Sequence, residues 1–190
     1  MITYRQVDSS YFDKYDSIPM LVSVESTLEL TPIAGGLGGI SLKEVPTEPY
    51  MKDLGKYEVA SEYQDEFDIS NWAFFMAFDG ELPVGAVSIA TRTPNVNMLD
   101  HRDDLAVLWD IRVDTRYKYR GIGTQLFNHA KAWSQSQGLK QMKIECQNNN
   151  VPACRFYQKQ GATLGRIDAY AYYDDPDTCN EVQLIWYLDI

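Results

Sequence analysis

The sequence predicts an α/β chain with a mixed, mostly antiparallel central sheet flanked by helices, in a single domain over residues 1–190. Three observations carry that expectation. Two short apolar runs, residues 74–78 and 84–90, flank Asp79-Gly80, a dipeptide suited to a tight hairpin. Residues 105–113 are almost continuously apolar, as in a central strand covered on both faces. Beyond them, helical and strand periodicities alternate to the C-terminus, the order of a sheet that collects crossover helices. A chain of 190 residues is long enough for one well-buried core and short for two.

Residues 2–7 alternate well enough for a first strand, whereas the segment 11–60 is the least regular part of the chain. The run Ala34-Gly35-Gly36-Leu37-Gly38-Gly39-Ile40 lacks the Gly-Lys-Ser/Thr ending of a nucleotide loop and is read as a flexible connection. Pro46 and Pro49 bracket a turn, and residues 50–63 form a helix with Leu54, Tyr57 and Val59 inward. From Trp72 the pattern sharpens into the hairpin, followed by a polar loop over 91–104 and the central strand. Ile122, Leu126, Ala130 and Trp133 share one face of a helix over 121–137 that Gly138 ends. A strand follows at 142–146. Pro152 then suits the first turn of a helix running to about Gln160, with Gly161 at its end, and two strands near 163–173 and 181–188 close the chain.

Composition narrows the function classes. Seventeen basic against 27 acidic residues leave a net charge of −10, which argues against a nucleic-acid surface and favours a cationic partner. Glu44, Glu48, Asp53, Glu58, Glu62, Asp65, Glu66 and Asp68 face only Lys52 and Lys56 within 44–68, and Asp174, Asp175, Asp177 and Glu181 form a second acidic patch. Each of these carboxylates also fits an ordinary solvated surface. No apolar run is long enough to span a bilayer and no signal peptide opens the chain, so a cytoplasmic protein with no membrane partner is expected. Cys146, Cys154 and Cys179 show no metal-type spacing, and with His101 and His129 alone no metal site is expected; the three cysteines read as buried small hydrophobes.

The strongest local signal is Val113-Asp114-Thr115-Arg116-Tyr117-Lys118-Tyr119-Arg120-Gly121-Ile122-Gly123-Thr124, where an apolar strand enters a basic, glycine-bearing turn that opens a helix. Unpaired N–H groups and the positive end of the helix dipole make such a start an anion site. About thirty residues on stands Asn150-Val151-Pro152-Ala153-Cys154-Arg155-Phe156-Tyr157-Gln158-Lys159-Gln160-Gly161, which resembles the N-x-x-A-x-x-F-Y-x-K-x-G signature of the GNAT superfamily of N-acetyltransferases. Lys118–Gly123 is then similar to that family's Q/R-x-x-G-x-G/A pyrophosphate loop, with Lys118 where Arg or Gln is usual and Tyr119 where Gly is common. Trp109-Asp110-Ile111-Arg112-Val113, Glu145-Cys146-Gln147-Asn148-Asn149-Asn150 and Ile185-Trp186-Tyr187-Leu188 resemble streptothricin acetyltransferases in particular.

The resemblance covers roughly residues 72–190 and implies an acetyl-CoA-binding core over 71–190, with residues 1–70 supplying the first strand and acceptor-side helices. It implies acetyl-CoA as co-substrate, held by Ile111, Arg112 and Val113 along pantetheine, by Lys118, Tyr119, Arg120, Gly121, Ile122, Gly123 and Thr124 at the pyrophosphate, and by Asn150 and Tyr157. Tyr157 would also protonate the leaving thiolate; a packing tyrosine beside Phe156 is the alternative. The acceptor amine must shed a proton, since an amine of pKa near 10.4 loses about 4.6 kcal/mol in reaching its free base at pH 7. Asp110, an acid in an apolar strand, is the first candidate to accept it and Glu145 the reserve, while an Asp110–Arg112 pair explains Asp110 equally well. Trp109, Asp110, Tyr170 and Tyr172 are candidates for the acceptor pocket, as are Trp72 and Tyr173, and each aromatic also fits simple core packing.

The implied activity is acetylation of a primary amine of a small polycationic compound, with streptothricin first and antibiotic resistance the consequence. A polyamine, an aminoglycoside or a protein lysine is the alternative acceptor, and a CoA-binding sensor without turnover the contrasting class. Members of the family are often dimers, so a homodimer is left open.

Overall fold

The computed structural model describes all 190 residues. Its strands are β1 (Ile2–Val7), β2 (Leu21–Pro32), β3 (Ile40–Asp53), β4 (Ala73–Asp79), β5 (Leu82–Ala90), β6 (Leu105–Val113), β7 (Gln141–Gln147), β8 (Thr163–Asp168) and β9 (Gln183–Asp189). Its α-helices are α1 (Phe12–Asp16), α2 (Tyr63–Glu66), α3 (Ile122–Ser136) and α4 (Val151–Lys159). Seven strands form one sheet in the order β1-β4-β5-β6-β7-β9-β8, and β2 with β3 makes a separate two-stranded ribbon. The β1/β4, β4/β5, β5/β6 and β8/β9 pairs are antiparallel and β6/β7 is parallel, so the expected mixed, mostly antiparallel sheet is present. No helix is long and apolar enough to cross a membrane.

The chain groups into two compact units, one of Met1–Leu21, Asp53–Ile144 and Leu188–Ile190, the other of Val22–Lys52 and Glu145–Tyr187. In the first, alternation along β4 sends Phe74, Met76 and Phe78 into a core with Phe12, Tyr15, Ile18, Tyr63 and Trp72. The opposite face carries α3, whose Ile122, Leu126, Phe127 and Ala130 are buried. Gly85 allows that approach, because a Cβ there would stand 3.0 Å from both the Ile122 and Leu126 side chains. Phe75 stacks on His129 of α3 with ring centroids 5.6 Å apart, which accounts for one of the two histidines as packing.

The ribbon of the second unit and the segment that follows it in the first depart most from expectation. Residues 50–63 are not a helix: β3 runs through Pro46 and Pro49 to Asp53, and only a 3-10 turn (Ala60–Glu62) and the single turn of α2 are helical thereafter. Each strand of a two-stranded ribbon has an unpaired edge that tolerates proline, so a proline there does not by itself signal a turn. The glycine run is the ribbon's connection, with Gly35, Gly36 and Gly39 at positive φ. Residues 1–70 therefore supply a long β-ribbon beside the first strand and the short helices α1 and α2. Within the second unit Cys146 and Cys154 are buried with sulfurs 3.4 Å apart, while Cys179 is only half-buried, since it lies in the turns between β8 and β9.

Candidate active site

In the first unit β6 delivers the chain to the start of α3. Asp114 ends the strand, its N–H donating to the Val84 carbonyl at 3.0 Å, and its carboxylate accepts from the Arg116 backbone N–H at 2.9 Å, capping a 3-10 turn (Thr115–Tyr117). Arg116 also pairs with Asp114 at 2.6 Å through its guanidinium. Gly121 at φ +80° then turns the backbone into α3, where the first intrahelical donor is the Gln125 N–H onto the Gly121 carbonyl at 3.1 Å. The N–H groups of Ile122, Gly123 and Thr124 precede it and lack intrahelical carbonyls. A Cβ on Gly121 would meet nothing within 4 Å, so the space beside this glycine is open. This cradle fits a pyrophosphate.

The basic residues of the loop are differently engaged. Lys118 donates its ammonium to the Leu21 carbonyl at 2.8 Å, and burial lowers its pKa. The Arg120 guanidinium lies 4.8 Å from the Tyr117 ring centroid, and Tyr119 is fully exposed at φ +62°. Upstream, β6 pairs with β7 from Leu105↔Gln141 to Leu108↔Ile144, whereas its pairing with β5 continues to Val113, past Ile111 and Arg112.

Asp110 and Arg112 form a buried ion pair at 2.6 Å with side-chain exposures of 0% and 2%. The pairing alternative read from the sequence is therefore present, and burial pushes the Asp110 carboxyl up against the pull of Arg112. A β-bulge shapes the surroundings: Ser88 lies opposite Asp110 and Ile89 opposite Leu108, which leaves Trp109 as the extra residue. Trp109 and Arg112, on opposite faces of a regular strand, thus both reach Glu58. The Trp109 indole N–H donates to Glu58 Oε2 at 3.1 Å, and the Arg112 guanidinium donates to the Glu58 carbonyl at 2.9 Å.

Glu58 is the site residue that sequence reasoning missed. Its Oε2 also accepts from the Tyr63 hydroxyl at 3.1 Å, while Oε1 has no donor. Burial first, and then the Asp110 charge, raise its pKa to about 7, against the hydrogen bonds of Tyr63 and Trp109 and the charge of Arg112. Asp16 holds the chain in place by accepting from the backbone N–H groups of Ala60 at 2.7 Å and Ser61 at 3.0 Å. Trp72, Phe67 and Tyr63 surround Trp109 with ring centroids 5.1, 5.3 and 6.3 Å away. Trp72 itself is core, its indole N–H on Thr93 at 2.8 Å. In the sequence Glu58 is one acid among eight in the 44–68 run, and no local pattern singles it out.

In the second unit Glu145 has both carboxylate oxygens claimed, Oε1 by the Tyr172 hydroxyl at 2.6 Å and Oε2 by Gln183 at 2.9 Å. Tyr172 is accordingly tied up as a donor, while Tyr170 and Tyr173 are exposed. Asn150 caps α4, its side-chain oxygen accepting from the Ala153 N–H at 3.3 Å, and Tyr157 is buried on that helix with its ring 5.5 Å from Phe156. The acidic patch is less bare than its sequence: Lys52, from β3, forms a buried ion pair with Glu181, which also accepts from Asn149 at 2.9 Å.

The chain is similar to known proteins in sequence and fold. The sequence model of the Acetyltransferase (GNAT) family matches residues 40–162. A streptothricin acetyltransferase of Escherichia coli is 33% identical over 149 residues, 78% of this chain and 76% of that protein. Among solved structures, a candidate streptothricin acetyltransferase from Bacillus anthracis str. Ames in complex with acetyl coenzyme A superposes with a TM-score of 0.79 at 25% identity, over 100% of both chains. A nourseothricin acetyltransferase superposes at 0.78 and 20% identity over 99% of this chain and 98% of its own, a likeness of fold.

Proposed function

The chain belongs to the GNAT acetyltransferase family, and from that premise we propose that it moves the acetyl group of acetyl-CoA to a primary amine of a small polycationic compound, streptothricin before others. The observation that carries the reading is the start of α3, where the Ile122, Gly123 and Thr124 N–H groups have no intrahelical acceptor and the space beside Gly121 is open. There the cofactor's pyrophosphate is held, with Arg120 and a released Lys118 adding charge and Tyr119 and Thr124 flanking it. The backbone of Ile111, Arg112 and Val113 offers hydrogen bonds to pantetheine, as an added strand would take them. Tyr157 supplies the proton to the departing sulfur, and Asn150 sets the first turn of its helix. The net charge of −10 supports a cationic acceptor. The chemistry is direct attack of the amine nitrogen on the thioester carbonyl, with no covalent enzyme intermediate. Its setting is the cytoplasm.

The test is free-thiol release from acetyl-CoA by purified protein, with streptothricin run beside spermidine, an aminoglycoside and a lysine peptide. Release with streptothricin alone supports the full reading; release with another amine keeps the acetyltransferase and replaces its acceptor; silence throughout favours a CoA-binding sensor. Two variants separate binding from chemistry. Gly121→Asp places a side chain at positive φ and an anion in the cradle, so CoA should bind about tenfold to a hundredfold more weakly by calorimetry. Tyr157→Phe should keep CoA affinity and lower turnover about a hundredfold.

A further inference from the structure

We propose that Glu58 is the group that takes the proton from the acceptor amine, and that the Asp110–Arg112 pair is the floor that positions it. The inference rests on the acetyltransferase reading and assigns the base within it. Three geometric facts select Glu58 over the two carboxylates that the sequence put forward. Asp110 is sealed, with no side-chain exposure and its charge answered by Arg112 at 2.6 Å. Glu145 has a donor on each oxygen, at 2.6 and 2.9 Å. Glu58 is half-buried, uses Oε2 alone for Trp109 and Tyr63, and keeps Oε1 without a donor. Its carboxylate is fixed at the bulge of β6, on the strand whose next residues, 111–113, are proposed to carry pantetheine.

The surroundings suit a cationic group shedding a proton. Trp109 and Phe67 are half-buried and can offer aromatic surface to an ammonium, and Glu58 supplies the opposite charge. The charged and titratable groups around it are Asp110 and Arg112 from β6, Tyr15 and Asp16 from α1, and Tyr63 from α2; the Asp110 charge outweighs that of Arg112 at Glu58, so no neighbouring cation competes with the amine for its proton. A carboxyl that titrates near neutrality is half ionised at pH 7 and accepts a proton more readily than an ordinary glutamate.

The ammonium N–H bond breaks, its proton goes to Glu58 Oε1, and the pair left on nitrogen forms the N–C bond to the acetyl carbonyl as the C=O π pair moves to oxygen. On collapse the C–S bond breaks with its electron pair going to sulfur. The nitrogen loses a second proton, the thiolate gains one, and Glu58 returns its proton to water, so that one amide, one thiol and one net proton leave.

Two measurements test the assignment, and only one needs turnover. In ¹H–¹⁵N spectra of the wild-type protein the Trp109 indole signal should titrate with a midpoint near 7, and Glu58→Gln should abolish that titration while leaving the other indole signals in place. With whichever amine the wild type accepts, Glu58→Gln should lower kcat/KM about a hundredfold at pH 7, erase the acidic limb of the pH profile, and recover to within about tenfold above pH 9 as the amine deprotonates unaided. Glu58→Asp should retain the acidic limb at reduced rate. A Trp109 signal that does not move between pH 5.5 and 8.5, or a Gln variant with the wild-type pH profile, overturns the proposal. Wild-type protein that consumes no acetyl-CoA with any amine overturns the acetyltransferase reading together with it, so the wild-type rate identifies which has failed.

Discussion

Glu58 in the first unit and Glu145 in the second are both half-buried carboxylates that accept a tyrosine hydroxyl, yet they end in opposite states. Glu145 takes Tyr172 on one oxygen and Gln183 on the other, so both oxygens are engaged and the residue ties a turn to β9. Glu58 takes both of its donors on one oxygen, beside an ion pair that has already consumed the nearest cation. The difference is one of satisfaction. A carboxylate with donors on both oxygens is a structural joint, whereas one with a vacant oxygen and a raised pKa is poised to exchange protons.

The comparison breaks most visibly at its floor. Asp110→Asn keeps shape but leaves Arg112 buried without its counter-charge, so urea unfolding should report a loss of about 3–5 kcal/mol. A loss below about 1 kcal/mol would show that the pair is hydrated and cannot act as a sealed support.

A pH series sharpens the contrast at the next level. The folded-state pKa of Glu58, about 7, lies above the carboxyl's ordinary 4.5, so the folded protein holds this proton more tightly than the unfolded chain. The resulting stability is complete below pH 4.5 and is lost as pH rises through 7. Between pH 5.5 and 8 the wild type should lose about 2 kcal/mol more than Glu58→Gln, measured as the difference between their unfolding free energies. Equal slopes would mean that Glu58 titrates as an ordinary surface acid.

The smallest effect belongs to Glu145. Replacing it with Gln exchanges a charged acceptor for a neutral one, and stability should fall by about 1 kcal/mol with the acidic limb of the rate profile unchanged. Loss of that limb would move the base to the second unit and sink the assignment to Glu58.

Much of the sheet and the glycine-turn start of α3 was legible because each is a local device. The Asp79-Gly80 hairpin, the Gly121 entry to α3, the Asn150 and Pro152 start of α4 and the Gly138 stop all depend on residues within a few positions of one another. The ribbon was missed for a related reason. Its strands pair only with each other, so they tolerate prolines and show no clean alternation of apolar and polar residues; the segment 50–63, with Leu54, Tyr57 and Val59 spaced as on a helix face, imitated a helix it does not form.

Sequence alone determined that this chain builds a strand, a glycine turn and a helix start able to hold a pyrophosphate, and that it carries an excess of acids. Which acid is free was decided only by tertiary structure. Glu58 meets Trp109 and Arg112 across 51 and 54 residues, and the bulge that turns Trp109 toward it is an accident of register between β5 and β6. Hydrogen-bond satisfaction and desolvation are properties of that assembled neighbourhood, and no stretch of sequence around Glu58 contains them.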